Sequence, residues 1–374
     1  MRIIYIITKS EAGGAQTHIA QFAKYMTGEG NEVAVMAYPG GPLEKISNFK
    51  FQTSKQFQNS NFKTLNVSFY PNRHFRNSYN PFLGLKAMGE IKKAVEDFKP
   101  DLVSCHSTFA GFWTRLCIKN KIPTIFTAHG WGFTEGTSFL RKNMVILAEK
   151  LASRFCSKIV CVSEHDKQLA LKYKIVPEVK LVTIHNGVEL EISNFQFPIS
   201  KKNSKLQIVF VGRLDEPKQP ELLLEAFSEL PENIKSKAEV LIIGDGPKLE
   251  KLQIINNKLQ INNVRFLGGL PREKVFEVLR ESDVFVLISN WEGFPRSILE
   301  AMSCGLPVIA SDVGGVSEAL TPEIGFLIKR GDKERLKKAL TELIENKELR
   351  ERMGQNARER VEKEFSLDKM LKET

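Results

Sequence analysis

The sequence predicts an α/β protein built from two doubly wound parallel-sheet domains facing a cleft. Three observations predict it. Short apolar runs alternate with amphipathic helical stretches, the pattern of parallel sheets covered on both faces. The alternation stops at a polar, poorly periodic segment, "ELEISNFQFPISKKNSK" (189–205), and then starts afresh. The length of 374 residues exceeds one ordinary core and suits two. The expected boundaries are 1–188 for the first domain, 189–205 for a linker, 206–346 for the second domain and 347–374 for a charge-dense helical end that packs back across the cleft.

In the first half, strands are expected at 2–8, 32–38, 102–107, 124–129, 158–163 and 182–186. Helices are expected near 15–28, 82–97, 109–119, 139–153 and 165–173. Residues 44–80 are rich in Asn, Phe, Lys and Gln without a clean period and read as a surface excursion. In the second half, strands are expected at 206–212, 239–246, 263–269, 284–289, 307–312 and 325–329, with helices at about 219–230, 247–260, 272–281, 296–304 and 333–346.

Composition sets limits. At 42% hydrophobic and 26% charged, the chain is that of a soluble globular protein. No apolar run approaches the roughly 20 residues that span a bilayer, and "MRIIYIITKS" is too short an apolar run for a secretory leader. Five cysteines without a C-x2-C pair point to a reduced, cytoplasmic compartment. The net charge of +10 is lopsided: residues 1–190 carry 25 Lys and Arg against 14 Asp and Glu, and residues 191–374 carry 29 against 30. A basic first half suits an anionic surface, lipid headgroups or nucleic acid, unless it is merely a well-solvated face. No nucleic-acid reading motif is present, so a nucleic-acid partner is not expected.

Ligands of open parallel sheets bind beyond the carboxyl ends of the strands, and the residues with chemical potential fall there. Arg213 and Lys218 follow strand 206–212 in "GRLDEPKQP", two cations suited to a diphosphate. Gly13 and Gly14 precede the first helix, either as turn punctuation or to let an anion approach the helix start. His129 ends strand 124–129 in "FTAHGWGF", ahead of glycines, within reach of a ligand. The stretch "WEGFPRSILEAMSCG" (291–305) sets Pro295 at a helix start and Gly305 at its end. Backbone N–H groups near Phe294, Arg296 and Ser297 then face a phosphate. Glu292 and Glu300 would repel that phosphate unless they point at hydroxyls, as on two sugars flanking a diphosphate. "IIGDGPKLEKL" (242–252) carries only a partial glycine fingerprint, with Leu249 in the third place, and hydride transfer is rejected. No Asp-x-Asp stands ready to hold a metal between phosphates, so no metal is expected.

These residues in this order resemble the family 4 retaining glycosyltransferases of the GT-B fold, whose two domains are Rossmann-like. The resemblance covers nearly the whole chain and is most specific at 208–218 and in "EGFPRSILEAMSCGLPVIASDVGGVSEAL". It implies that Glu292 contacts donor-sugar hydroxyls, that Glu300 contacts the nucleotide ribose, and that Arg213 and Lys218 neutralise the diphosphate. It further implies that backbone from Phe294 through Pro295 and Arg296 to Ser297 binds phosphate and sugar oxygens. Gly14 would approach the diphosphate, His129 would hydrogen-bond the transferred sugar, and the base would lie near 266–270. The sequence departs from many such relatives at Arg296 and Gly130. Members with this pattern resemble enzymes of bacterial surface-polysaccharide assembly. The expectation is therefore a metal-independent transfer from a UDP-sugar to a lipid-linked or saccharide acceptor, with no cofactor, at the inner face of the plasma membrane. The alternative is a catalytically silent sugar-nucleotide-binding subunit.

Overall fold

The computed structural model describes residues 1–11, 13–45, 67–75, 80–134, 136–190 and 205–374. They divide into two compact units, Met1–Ile184 and His185–Thr374. Most of the segment expected to be a linker lies outside the described residues.

Unit 1 holds β1 (Arg2–Ile6), α1 (Gly14–Gly28), β2 (Glu32–Ala37), α2 (Pro42–Lys45), β3 (Val67–Pro71), α3 (Pro81–Phe98) and β4 (Leu102–His106). It continues with α4 (Thr108–Ile118), β5 (Thr124–Ala128), α5 (Phe139–Ala152), β6 (Lys158–Cys161), α6 (Glu164–Lys172) and β7 (Leu181–Thr183). The sheet order is β3-β2-β1-β4-β5-β6-β7, with all pairs parallel. Strand β3 corrects the reading of 44–80 as an excursion. It is a five-residue edge strand, VSFYP, with only its first residue buried, and Ser68 and Pro71 deny it the continuous apolar run of an inner strand. Within 44–80, residues 46–66 and 76–79 lie outside the described residues.

Unit 2 holds β8 (Leu206–Val211), α7 (Pro220–Ser228), α8 (Glu232–Lys235), β9 (Ala238–Ile243), α9 (Leu249–Lys258), β10 (Val264–Gly268), α10 (Arg272–Glu281) and β11 (Val284–Leu287). It continues with α11 (Arg296–Ser303), β12 (Val308–Ser311), α12 (Val316–Ala319), β13 (Gly325–Ile328), α13 (Lys333–Glu345), α14 (Lys347–Glu364) and α15 (Leu367–Glu373). Its order is β10-β9-β8-β11-β12-β13, again parallel. The helical end expected over 347–374 is broken at Phe365–Ser366, where the Ser366 hydroxyl accepts from Lys369 N–H and starts a new helix.

Both sheets reverse their winding between the first strand and the fourth, β1 beside β4 and β8 beside β11. Side chains on the loops leaving those strands converge at this switch point, where open α/β sheets bind ligands. Strands β1, β2, β4, β11 and β12 are buried on both faces, as their continuous apolar runs require. No helix among the described residues is long and apolar enough to cross a membrane.

Candidate active site

In unit 2 the loop after β8 is laced to the loop after β11. Gln219 N–H donates to Ile288 C=O at 2.9 Å, and Asn290 N–H donates to Pro217 C=O at 2.9 Å. This lacing brings Lys218 to Glu292 across 74 positions of sequence, and Lys218 Nζ donates to Glu292 Oε1. The Ser289 hydroxyl donates to the same oxygen at 2.6 Å. Both side chains are largely buried, 14% and 10% exposed. Arg213 is 63% exposed and lies 3.2 Å from Asp215. Each of the two cations expected at a diphosphate thus already faces a carboxylate. Lys218 nevertheless has three donors and spends one on Glu292. Glu292 receives both partners on Oε1, which leaves Oε2 for a hydroxyl.

Gly314 makes the Glu292 loop possible. A Cβ there would overlap the Glu292 carbonyl, and its φ of +58° lies in the left-handed region. Next to it, Gly315 N–H donates to Gly293 C=O at 2.8 Å. On the other side, Asn186 Nδ2 donates to Phe294 C=O at 2.7 Å, and the Phe294 ring packs 4.7 Å from His185 and 5.2 Å from Phe365. The turn through Pro295 into α11 is therefore held from both sides. No side chain caps α11, and the N–H groups of Phe294 and Ser297 have no acceptor among the described residues.

Glu300 sits in the second turn of α11 behind that start. Burial raises its carboxyl above the ordinary range, and Arg296 and Arg272 oppose the shift. Burial pulls the Arg296 guanidinium down to about 10. Arg272 on α10 lies 3.8 Å from Glu300 and donates to Glu189 at 2.8 Å. A buried, cation-flanked carboxylate can accept from ribose hydroxyls.

In unit 1, Gly13 is the N-cap of α1 with extended φ of 172°, a conformation open to any residue. A Cβ at Gly13 would meet the side chain of Gln16, and the Gly13 carbonyl accepts from Thr17 N–H at 2.9 Å. Gly14 opens the helix. His129 follows β5, with His106 Nδ1 3.1 Å from its Nε2.

Sequence reasoning missed Ser289, Gly314, His18 and His106. The glycine pair in "VGGV" was a readable signal for a close backbone approach. The two histidines lie in apolar runs, and only the sheet order brings them to His129. The partial fingerprint also gains a reason. A Cβ at Gly244 would overlap the Gly212 carbonyl, so this glycine lets the strand-end loops pack together.

Residues 191–360 match the family model described as glycosyl transferases group 1, and residues 12–192 match glycosyltransferase family 4. The chain is 31% identical over 305 residues to the UDP-Gal:alpha-D-GlcNAc-diphosphoundecaprenol alpha-1,3-galactosyltransferase of Escherichia coli, covering 77% of each. It is 29% identical over 318 residues to the O-antigen biosynthesis glycosyltransferase WbnH of Escherichia coli, covering 84% of this chain and 82% of that protein. Among solved structures, Anabaena Alr3699/HepE in complex with UDP-glucose superposes with a TM-score of 0.80 at 18% identity, covering 100% of this chain and 98% of that one.

Proposed function

This chain belongs to the family 4 glycosyltransferases of the GT-B fold, and we propose that it transfers a sugar from a UDP-sugar, with retention, to a lipid-linked polysaccharide precursor. The observation that carries this reading is the Lys218–Glu292 contact beside the uncapped start of α11, at the switch point of unit 2. It joins a cation with spare donors, a carboxylate with a spare oxygen and unpaired backbone N–H groups in one place. A diphosphate needs the first and third, and a hexose needs the second. The UDP-glucose complex of the structural relative and the UDP-Gal named for the sequence relative support this donor class.

The reaction we propose is a front-side displacement. The acceptor hydroxyl attacks the anomeric carbon on the face from which UDP departs. The anomeric C–O bond to the diphosphate breaks, and the acceptor proton passes to the departing phosphate oxygen. Lys218, Arg213 and the backbone N–H groups from Phe294 through Arg296 to Ser297 stabilise the developing charge, the dominant contribution. Glu292 Oε2 orients the sugar, Glu300 accepts from the ribose, and the base lies along 266–270. In unit 1, His129 is assigned to a hydroxyl of the transferred sugar and the Gly13–Gly14 turn to the diphosphate. No metal or other cofactor takes part in this scheme.

The acceptor assignment rests on α5. Leu140, Met144, Leu147 and Leu151 recur at helical spacing and are exposed, with Leu140 at 72% and Leu147 at 71%. Phe139 precedes them, and Arg141, Lys142 and Lys150 lie on the same helix. An apolar stripe edged by cations fits an anionic lipid surface and supports a site of action at the cytoplasmic face of a membrane. The test is incubation with labelled UDP-hexoses and a membrane extract. The expected result is label in the lipid fraction with the donor's anomeric configuration, read by NMR. UDP-sugar binding without transfer would instead favour the silent subunit.

A further inference from the structure

Three histidines meet at the switch point of unit 1. His18 lies on the buried face of α1, His106 closes β4 and His129 follows β5. One ligating atom from each lies within 4.8 Å of the other two. His106 Nδ1 and His129 Nε2 are 3.1 Å apart, and the His18 ring stands edge-on to His129 at 4.9 Å. Nitrogens bound to one tetrahedral zinc at about 2.0–2.1 Å are about 3.3 Å apart. The His106–His129 spacing is thus already close to that of two ligands. A side-chain rotation of about 1.5 Å would bring in the third.

We propose that this trio binds a single borderline transition-metal ion, zinc or a chemical neighbour, with its fourth position open. The ligand set contains no carboxylate or thiolate. Three imidazoles select zinc, cobalt, nickel or copper over magnesium or calcium, which require oxygen. His106 carries the supporting contact that such ligands use. Ser104 Oγ lies 3.1 Å from its Nε2 and, accepting that N–H, leaves the Nδ1 lone pair facing His129. Ligation through His129 Nε2 requires that nitrogen's lone pair, with the ring's single proton residing on Nδ1. His129 is half-buried, the most exposed of the three.

The sugar-transfer scheme needs no metal, and metal binding is read without transfer, so either can fail alone. The experiment is a cobalt titration of the tag-free, chelator-stripped full chain. The expected result is the visible absorption of tetrahedral cobalt, saturating at one equivalent and displaced by zinc. His106→Gln and His18→Gln should each weaken binding at least 100-fold, and Ser104→Ala about tenfold. A cooperative thermal melt of His18→Gln guards against misfolding, and Ser104→Ala offers a gentler second probe. Absence of a saturable band, or one unchanged in both histidine variants, overturns the site and leaves a hydrogen-bonded packing cluster.

Discussion

Arg115–Glu149 in unit 1 and Lys218–Glu292 in unit 2 are the same chemistry in opposite places. The first lies between α4 and α5, away from the strand ends, at 0% and 1% exposure. Arg115 Nη2 meets Glu149 at 2.8 Å, Nε donates to the Gly111 carbonyl at 2.9 Å, and the guanidinium lies 4.0 Å from the Phe126 ring. This arrangement fastens α5 and turns its apolar stripe outward. The second pair stands at the strand ends, keeps some exposure and leaves donors and an oxygen unspent. Position relative to the carboxyl ends of the strands, with some exposure to an incoming ligand, separates a staple from a site.

The largest expected effect tests the staple. Glu149→Ala strands a buried guanidinium and should cost about 3–5 kcal/mol, lowering the melting temperature by roughly 10 °C. The double change Arg115→Met with Glu149→Leu should recover most of that loss. If Glu149→Ala melts like the parent chain, the pair is no staple. Next in size is Lys218→Ala, which should cut transfer by about 10²–10³ while moving the melting temperature less than Glu149→Ala does. A parent-like turnover would remove Lys218 from the leaving-group role.

The face held out by the staple gives the third effect. Leu147→Asp should lower partitioning onto anionic vesicles about tenfold to a hundredfold, the worth of one apolar side chain, and leave UDP affinity unchanged. Unaltered sedimentation with vesicles would contradict the lipid assignment. The smallest effect concerns Glu300. Its pKa is raised by burial, so the folded state holds the proton more tightly. Below the ordinary carboxyl pKa the side chain is neutral in both states and no charge is buried. As pH rises through the raised value, the cost of burying the ion appears and stability falls. Glu300→Gln should therefore melt above the parent chain at pH 7, and the gain should vanish toward about pH 4.

The sequence made the strands of both sheets readable because strands buried on two faces are continuous apolar runs. It left β3 unread because an edge strand with one buried residue carries no such run. Lys218, Glu292, Glu300 and the turn into α11 were readable as residue types at strand ends. The Lys218–Glu292 contact was not, because sheet order rather than spacing brings residues 74 positions apart together. The histidine trio escaped for the same reason, with His18, His106 and His129 meeting only once β1, β4 and β5 lie side by side.

A crystal structure with UDP bound tests the central assignment most directly. The expected result is a diphosphate within hydrogen-bond distance of Lys218 Nζ and of the N–H groups of Phe294 and Ser297, with the ribose on Glu300. Nucleotide density that contacts none of these four residues would contradict it.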